Sequence, residues 1–373
     1  MAMERREYRV TFLTPAFLGD AEQKGRWRTP PFKALLRQWW RVVKANELLR
    51  GGCQPQRLHT EVREAEGRLF GHAWLTDGGK TWAMRSRVRL RLGGWRDGTL
   101  DRWETDPRVT HPEVTNRQGE AMPVGAHLYL GYGPLTYSRE LRSTALKGTD
   151  ERHPKPAIGA GDQNILVLGF PDDFAAELER TVELIHWFGT VGGRSRNGWG
   201  SFVLDGDGLQ ATEMLTQSVG FPLAAVTRDF ASCLALEWSH ALGADEHGPL
   251  VWRTEEVGTW PNAMQRLAEV KIKFRTAIPI APNGQFGERH VLAYPVTHHP
   301  TAWGGQKRLA NQMRFKVVRS GDAYFGIVFH LPCAIPRDFH RPGVPDGQGQ
   351  LTVWRKVHGV LDSTLVRLSG AGR

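Results

Sequence analysis

Apolar residues recur along the chain with two different periods, and these periods predict where strands and helices lie. Residues 8–13 alternate between apolar and polar positions, which is typical of a strand. From Phe32 to Leu49 the apolar residues follow helical spacing, after a Pro-Pro pair that suits a first helical turn. The same reasoning predicts strands at residues 126–132, 164–170, 201–204, 313–318 and 323–331, and helices at residues 172–188, 260–274 and 351–368.

The order of these elements predicts an α+β fold. The first part of the chain reads β–α–β–β–α–β, which is the ferredoxin-like plan. Residues 93–125 are rich in Gly, Asp, Thr and Pro and are predicted to form a loop, and residues 133–162 are predicted to be a flexible insertion. The segment 205–220 is the best candidate for a boundary. We therefore expect two domains, at residues 1–210 and 211–373.

Composition limits the class of protein and of partner. A chain of 373 residues most naturally forms two domains, and a 40% hydrophobic content with 14 Trp and 16 Phe can fill their cores. General disorder is therefore not expected. The formal net charge of +10 favours a polyanionic partner, although a basic protein without such a partner is the alternative.

The region around the first predicted helix is strongly basic. Between residues 24 and 50 there are eight basic residues and a single acidic one, which suits a surface that faces phosphates, although a solvated helical face is the alternative. Trp27 lies within this region and is a candidate to stack on bases, whereas Trp39 falls on the apolar face of the helix and is predicted to be core. The RNA-binding candidates in this region are Arg26, Trp27, Arg28, Lys33, Arg37 and Arg41.

A second basic pattern occupies residues 85–92. Arginines alternate there with Val88, Leu90 and Leu92, so that on a strand all the arginines would share one face and the aliphatic residues the other. Such a row needs acidic side chains or phosphates to neutralise it, and a solvated outer strand is the alternative reading. The arginines are Arg85, Arg87, Arg89 and Arg91.

The most distinctive pattern is a glycine-rich segment at residues 187–202. Glycines allow the backbone to turn with positive φ and to bring its N–H groups close to a ligand, and successive N–H groups can form a nest for an anion. A plain connection between a helix and an edge strand is the alternative. The predicted phosphate-binding residues are Gly192, Gly193, Arg194, Ser195, Arg196, Asn197 and Gly198, with Trp199 as a second stacking candidate.

This glycine-rich segment resembles the signature loop of the RAMP superfamily, the RNA-binding subunits of CRISPR effector complexes. The loop of that superfamily has an aromatic-Gly pair followed by Gly-Gly-Arg-Ser-Arg-x-Gly-aromatic-Gly, and residues 188–200 fit it throughout. A second resemblance lies at residues 10–41, where a strand leads into Thr-Pro-Ala-Phe-Leu-Gly and then into a proline-led helix with a Trp-Trp-Arg end. This second segment is similar to the opening of the first subunits of the type III-B Cmr complex, and the two matches occur in the order expected for that family.

The resemblance implies a fold and a function beyond what the residues themselves predict. It implies a second, degenerate ferredoxin-like domain in tandem with the first, in which Tyr294-Pro295 and the segment 307–316, led by Lys307 and Arg308, carry a weaker match to the family pattern. It also implies a non-catalytic RNA-binding role near the 3′ end of the guide RNA, where the subunit helps to capture target RNA in antiviral defence. The implied partners are guide RNA, target RNA and the other Cmr subunits.

The sequence contains no recognisable catalytic or cofactor motif. Its three cysteines lie far apart, and His298-His299 would point to opposite faces of an extended chain, so neither a metal nor a cofactor is expected. The alternatives are a RAMP backbone subunit that cleaves target RNA with a loop aspartate and a divalent metal, and a guide-processing ribonuclease, for which His59 is the nearest candidate base. No secretory signal or long apolar run is visible, so a cytoplasmic protein without a membrane partner is expected.

Overall fold

The computed structural model describes residues 2–368 apart from residues 78, 151–152, 207, 210–222, 283, 297–302 and 304–306. The helices are α1 (Thr29–Arg50), α2 (Pro55–Phe70), α3 (Ala126–Gly131), α4 (Ala175–Phe188), α5 (Phe230–Cys233), α6 (Trp260–Thr276), α7 (Arg289–Leu292) and α8 (Gly347–Asp362). The first strands are β1 (Met3–Phe12), β2 (His72–Asp77), β3 (Lys80–Met84), β4 (Arg89–Leu92), β5 (Arg108–Thr115), β6 (Ala121–Gly125), β7 (Leu135–Ser138), β8 (Ser143–Leu146), β9 (Gly148–Asp150) and β10 (His153–Pro154). The others are β11 (Gln163–Pro171), β12 (Phe202–Asp205), β13 (Thr227–Asp229), β14 (Leu242–Asp245), β15 (Gly248–Pro249), β16 (Val251–Arg253), β17 (Met313–Ser320), β18 (Ala323–His330) and β19 (Val366–Arg367).

The chain forms two compact units whose boundaries do not follow a single cut along the sequence. The first unit comprises Met1–Arg102, Gly148–Ser195 and Trp199–Glu213. The second comprises Trp103–Lys147, Arg196–Gly198 and Met214–Arg373. Most of the segment 205–220, the expected boundary, lies outside the described residues.

The first unit is built on a four-stranded antiparallel sheet in the order β12-β1-β11-β4. Its chain order is β1, α1, β4, β11, α4, β12, with the hairpin β2–β3 and helix α2 inserted before β4. One face of the sheet packs against α1 and α4, because the alternate residues of each strand are apolar on that side. The core there is formed by Tyr8, Leu90, Leu166, Leu168, Phe202 and Leu204 from the strands, with Phe32, Leu35, Leu36, Val182 and Ile185 from the helices.

The second unit contains a four-stranded antiparallel sheet in the order β17-β18-β16-β19. Its elements follow the chain order β16, α6, β17, β18, α8, β19. Helix α6 packs closely on this sheet, since a Cβ at Gly326 would lie 2.5 Å from the side chain of Leu267, and Phe274 meets Phe315 with 6.3 Å between ring centroids. Helix α8 is tied to β16 by the indole N–H of Trp252, which donates to Asp362 over 2.7 Å.

The structure confirms the predicted mixture of helices and strands, an α+β fold, and most of the predicted elements. The strands predicted at 8–13, 164–170, 201–204, 313–318 and 323–331 correspond to β1, β11, β12, β17 and β18, and the predicted helices at 32–49, 172–188 and 260–274 to α1, α4 and α6. The last predicted helix begins earlier and ends earlier, at Gly347–Asp362, because Asp346 accepts the Gly349 N–H at its N-terminus.

Four predictions of local structure differ from the structure. Residues 133–162, predicted to be a flexible insertion, contain the hairpin β7–β8 and the paired strands β9 and β10. Within the predicted strand at 126–132, residues Ala126–Gly131 form helix α3 instead, because the carboxylate of Asp106 accepts the backbone N–H groups of His127 and Leu128 and caps the helix from a distant segment. The predicted loop at 93–125 contains the hairpin β5–β6, whose strands are mostly exposed and therefore lack an apolar signal. The arginine strand begins only at Arg89, since the Arg87 N–H donates to the carbonyl of Leu69 at the end of α2.

Candidate nucleic-acid interface

The two segments that carry the family resemblance lie against each other in the first unit. Backbone N–H groups of Gly193 and Gly200 donate to the carbonyls of Phe17 and Pro15, each over 2.9 Å. The N–H of Ser201 donates to the hydroxyl of Thr14 over 3.0 Å. The turn after β1 and the glycine-rich segment therefore form one continuous structure, although about 175 residues separate them in the sequence.

Glycine is required at two positions of this structure by close backbone packing. A Cβ at Gly200 would lie 1.9 Å from the carbonyl oxygen of Val191, and one at Gly192 would lie 2.8 Å from the carbonyl oxygen of Phe17. Both residues also have a positive φ, +64° and +99°, which side chains other than glycine rarely adopt. Since the N–H groups of Gly193 and Gly200 bind protein carbonyls, they hold the turn in place and are not free for a phosphate.

Arg194 is an exposed cation on this turn. It has a positive φ of +57°, unusual for a residue with a side chain, which projects it from the glycine-rich backbone. No ion pair joins it to a carboxylate among the described residues. The hydroxyl of Thr190 donates to the carbonyl of the next residue, Ser195, over 2.9 Å and fixes this side of the turn.

Both tryptophans predicted to stack on bases are buried, so that prediction was wrong. Trp27 is 1% exposed, with its ring 4.8 Å from the ring of Phe12 and parallel to the ring of Phe32. Trp199 is fully buried beside Phe17, with 5.4 Å between ring centroids. Their apolar area stabilises the turn from beneath, which the basic neighbours in the sequence concealed. Trp39 is 1% exposed, as predicted for a core residue.

Two of the predicted RNA-binding arginines on α1 are engaged by a buried carboxylate. Glu66 of α2 is 6% exposed and accepts from Arg41 through both of its oxygens, over 2.8 and 2.7 Å. Arg37 donates to the same carboxylate over 2.6 Å. The basic pattern of residues 24–50 did not indicate this neutralisation, because Glu66 lies outside that region, in a helix that was not predicted.

The same correction applies to other basic residues of the first unit. Lys44 donates to Glu177 over 2.7 Å; burial opposes its charged form, but the carboxylates of Glu177 and Glu47 outweigh it and raise the pKa of Lys44. Arg26 forms an exposed ion pair with Asp97 at 3.1 Å. The guanidinium of Arg87 lies over the ring of Phe174, 5.1 Å from its centroid. Lys44, Arg26 and Arg87 therefore all have partners within the protein.

A smaller set of cations in the first unit has no carboxylate partner among the described residues. Arg28 is the N-cap residue of α1, and Lys33 lies in the first turns of that helix, which contain no acidic side chain. Phe32 between them meets Phe202, directly after the glycine-rich turn, with 5.9 Å between ring centroids. The positive end of this 22-residue helix thus packs against the start of β12, the strand that follows the glycine-rich turn.

The arginines of β4 occupy the sheet face opposite the helices. Arg89 and Arg91 alternate with the core residues Leu90 and Leu92 and are exposed, as the predicted alternation requires. Arg85 is exposed just before the strand. These three arginines have no carboxylate partner among the described residues, and β4 is the edge strand of its sheet. The alternation therefore predicted the orientation correctly, although the strand is shorter than expected.

The tip of the glycine-rich segment, Arg196–Gly198, belongs to the second unit. The Asn197 side chain donates to the carbonyl of Leu130 over 2.7 Å and accepts from Lys271 over 3.0 Å. A Cβ at Gly198 would lie 3.1 Å from the sulfur of Met264 on α6. Asn197 thus holds the tip against α3 and α6, which replaces the phosphate contact predicted for its side chain.

The two basic residues predicted in the second domain are placed before β17. The ammonium of Lys307 lies 5.0 Å from the centroid of the Phe339 ring and donates to the carbonyl of Asp338. Arg308 is exposed and donates to the carbonyl of Lys307 over 2.7 Å. Leu309 pairs with Tyr294 through an isolated bridge, and strand β17 begins at Met313, as predicted.

Candidates for catalysis are not drawn together in the part of the chain that the structure describes. There, no three His, Cys, Asp or Glu side chains converge as ligands for a metal ion. His59 lies on the exposed side of α2. His298 and His299 lie outside the described residues. Within the same residues, no helix is both long and apolar enough to cross a membrane.

Comparisons with known proteins returned structural matches only. No family model and no curated protein matches the chain. Among solved structures, the chain is similar to the crystal structure of Cmr1 from Pyrococcus furiosus in the apo form, with 13% identity, a TM-score of 0.43 and coverage of 98% of this chain and 99% of that chain. It is also similar to a chain in the cryo-EM structure of the type III-B Cmr-beta complex bound to cognate target RNA, with 9% identity, a TM-score of 0.43 and coverage of 96% and 99%.

Proposed function

We propose that this protein is a non-catalytic, RNA-binding subunit of a type III-B CRISPR (Cmr) effector complex. In this role it contacts the guide RNA near its 3′ end, helps to capture target RNA, and binds other Cmr subunits. The observation that carries the proposal is the joining of the two family-like motifs: Gly193 and Gly200 are hydrogen-bonded to the turn at Pro15 and Phe17. Two segments that resemble one family independently, and that build one structure, support a common function.

We further propose that the two units are tandem ferredoxin-like domains. In chain order each unit supplies β–α–β–β–α–β, and in each sheet the first and third of these strands are central and the second and fourth are at the edges. This is the arrangement of the ferredoxin-like fold. The glycine-rich turn then precedes the fourth strand of the first domain, which is where the sequence resemblance places it.

The electrostatic arrangement around the turn supports RNA as the partner. Arg194 on the turn, and Arg28 and Lys33 at the start of α1, have no carboxylate partners among the described residues, and α1 adds the positive end of its dipole. Backbone phosphates are the commonest ligand for such a set, and they carry no base information. We therefore expect tight, salt-sensitive binding of single-stranded RNA with weak sequence preference.

Fluorescence anisotropy with a labelled single-stranded RNA tests the proposal. On single strands each neutralised phosphate contributes about −0.7 to the slope of log affinity against log salt. The double variant Arg28→Ala/Arg194→Ala should therefore lose about 1.4 from that slope, as well as affinity. Arg57→Ala is the matched control, because Arg57 is an exposed arginine paired with Glu61 on α2. A wild-type slope near zero, or equal slopes for the double variant and the control, would contradict the proposed interface.

A further inference from the structure

Two arginines of the second unit lie side by side along the edge strand β17. The N–H of Phe315 donates to the carbonyl of Arg196 over 3.0 Å, so the tip of the glycine-rich segment runs alongside this strand. The Arg196 side chain then turns back along the strand, and its Nη1 donates to the carbonyl of Asn311 over 3.2 Å. Arg314 lies on the same stretch of β17, and the charge of Arg196 contributes to lowering its pKa, so the two guanidinium groups are close to each other.

Neither arginine has an acidic partner among the described residues. Arg314 is half-buried, and its Nε is enclosed without a hydrogen-bond acceptor in that part of the chain. Arg196 is exposed, and its one hydrogen bond to a described residue is the one to the backbone carbonyl. The pair therefore combines a solvent-facing cation with a deeper one whose Nε donor is not satisfied by a described residue.

The surroundings of this pair disfavour its two positive charges. Burial, with a further contribution from the charge of Arg196, lowers the pKa of Arg314 to about 9. The nearby thiol of Cys333 does not compensate, because burial raises its pKa and keeps it neutral. A guanidinium remains protonated at neutral pH, so the pair persists as an anion-binding arrangement.

We infer that Arg196 and Arg314 together bind one phosphodiester group of the RNA backbone. Guanidinium groups present planar pairs of donors that match phosphate oxygens, and two of them can bridge a single tetrahedral phosphate. This inference rests on the proposed function and adds a phosphate contact in the second unit, separate from the cations of the first unit. A terminal phosphate has the same chemistry, and the experiment distinguishes the two sources.

The experiment compares Arg314→Gln and Arg314→Lys with the control Arg319→Gln. Arg319 lies on the same strand and is exposed, so its replacement removes one positive charge from β17 but leaves the Arg196–Arg314 pair intact. Affinity for a labelled single-stranded RNA with a 5′-hydroxyl is measured across a range of salt concentrations, and again with the 5′-phosphorylated RNA. Arg314→Gln should weaken binding about tenfold or more and reduce the salt slope by about 0.7.

Arg314→Lys should bind with intermediate affinity, because it keeps the charge and loses the paired donors. The thermal midpoint of Arg314→Gln should equal or exceed that of the wild type, since a partly buried, unpaired charge has been removed. Equal effects of Arg314→Gln and Arg319→Gln would overturn the inference while the proposed function stands. A loss confined to the 5′-phosphorylated RNA would also overturn it in favour of a terminal phosphate. Failure of the wild type to bind either RNA would overturn the proposed function as well.

Discussion

Replacement of Glu66 tests whether Arg37 and Arg41 of α1 stabilise the fold or are available to bind RNA. Glu66→Gln preserves the shape of the side chain and removes the charge that accepts three hydrogen bonds of 2.6–2.8 Å from Arg37 and Arg41. Removing one partner of a buried ion pair costs about 3–5 kcal/mol. The two arginine side chains are 39% and 41% exposed and regain water. We therefore expect a smaller loss, about 2–3 kcal/mol, in the free energy of unfolding.

Urea denaturation followed by tryptophan fluorescence measures this loss, because Trp39 and Trp40 lie buried on the same helix. A thermal scan should show a midpoint lower by about 4–12 °C for a unit of this size. Glu64→Gln provides the control, as it removes a half-buried carboxylate from the same helix without touching the network. A stability of Glu66→Gln within about 0.5 kcal/mol of that control would refute the reasoning.

The same network makes a prediction about RNA. Because Arg37 and Arg41 are held by Glu66, replacing either arginine by alanine should lower the stability of the protein more than its affinity for RNA. We expect the affinity for RNA to change by less than about threefold, which corresponds to well under 1 kcal/mol of binding free energy. A tenfold loss of affinity at unchanged stability would return both arginines to the interface that the sequence predicted.

Three further predictions concern the turn, the second unit and catalysis. Gly200→Ala should destabilise the protein by about 3 kcal/mol or more, because its Cβ would meet the Val191 carbonyl, whereas Gly52→Ala, with a similar positive φ and open space, should cost only about 1 kcal/mol by thermal denaturation. Burial lowers the pKa of His358 to about 3, so between pH 6.5 and 5 this side chain binds a proton in the unfolded chain but not in the folded protein. The free energy of unfolding should therefore fall by about 2 kcal/mol between pH 6.5 and 5. Urea titrations of His358→Gln should show a weaker dependence on pH. The purified protein should leave labelled single-stranded RNA intact with and without magnesium; magnesium-dependent cleavage abolished by one Asp substitution would favour the backbone nuclease, and metal-independent cleavage the guide-processing enzyme.

Elements with a strong local period could be predicted from the sequence, whereas elements defined by distant contacts could not. Helix α1 and strands β11, β17 and β18 have clear apolar periods, and the structure confirms each of them. Helix α3 was predicted as a strand, because its apolar residues also fit an alternating pattern. Its helical form depends on Asp106, which caps it from about 20 residues away.

For the candidate interface, the sequence by itself determined the chemical composition: a glycine-rich turn, a family resemblance in two segments, and a surplus of arginine. The tertiary structure decided which of those residues are available. Glu66, Glu177 and Asp97 come from distant segments and neutralise their partners, while the core encloses the rings of Trp27 and Trp199. A count along the sequence cannot include these effects, because pairing of charges and burial of rings depend on distances in space, and folding brings together residues that are far apart in the chain.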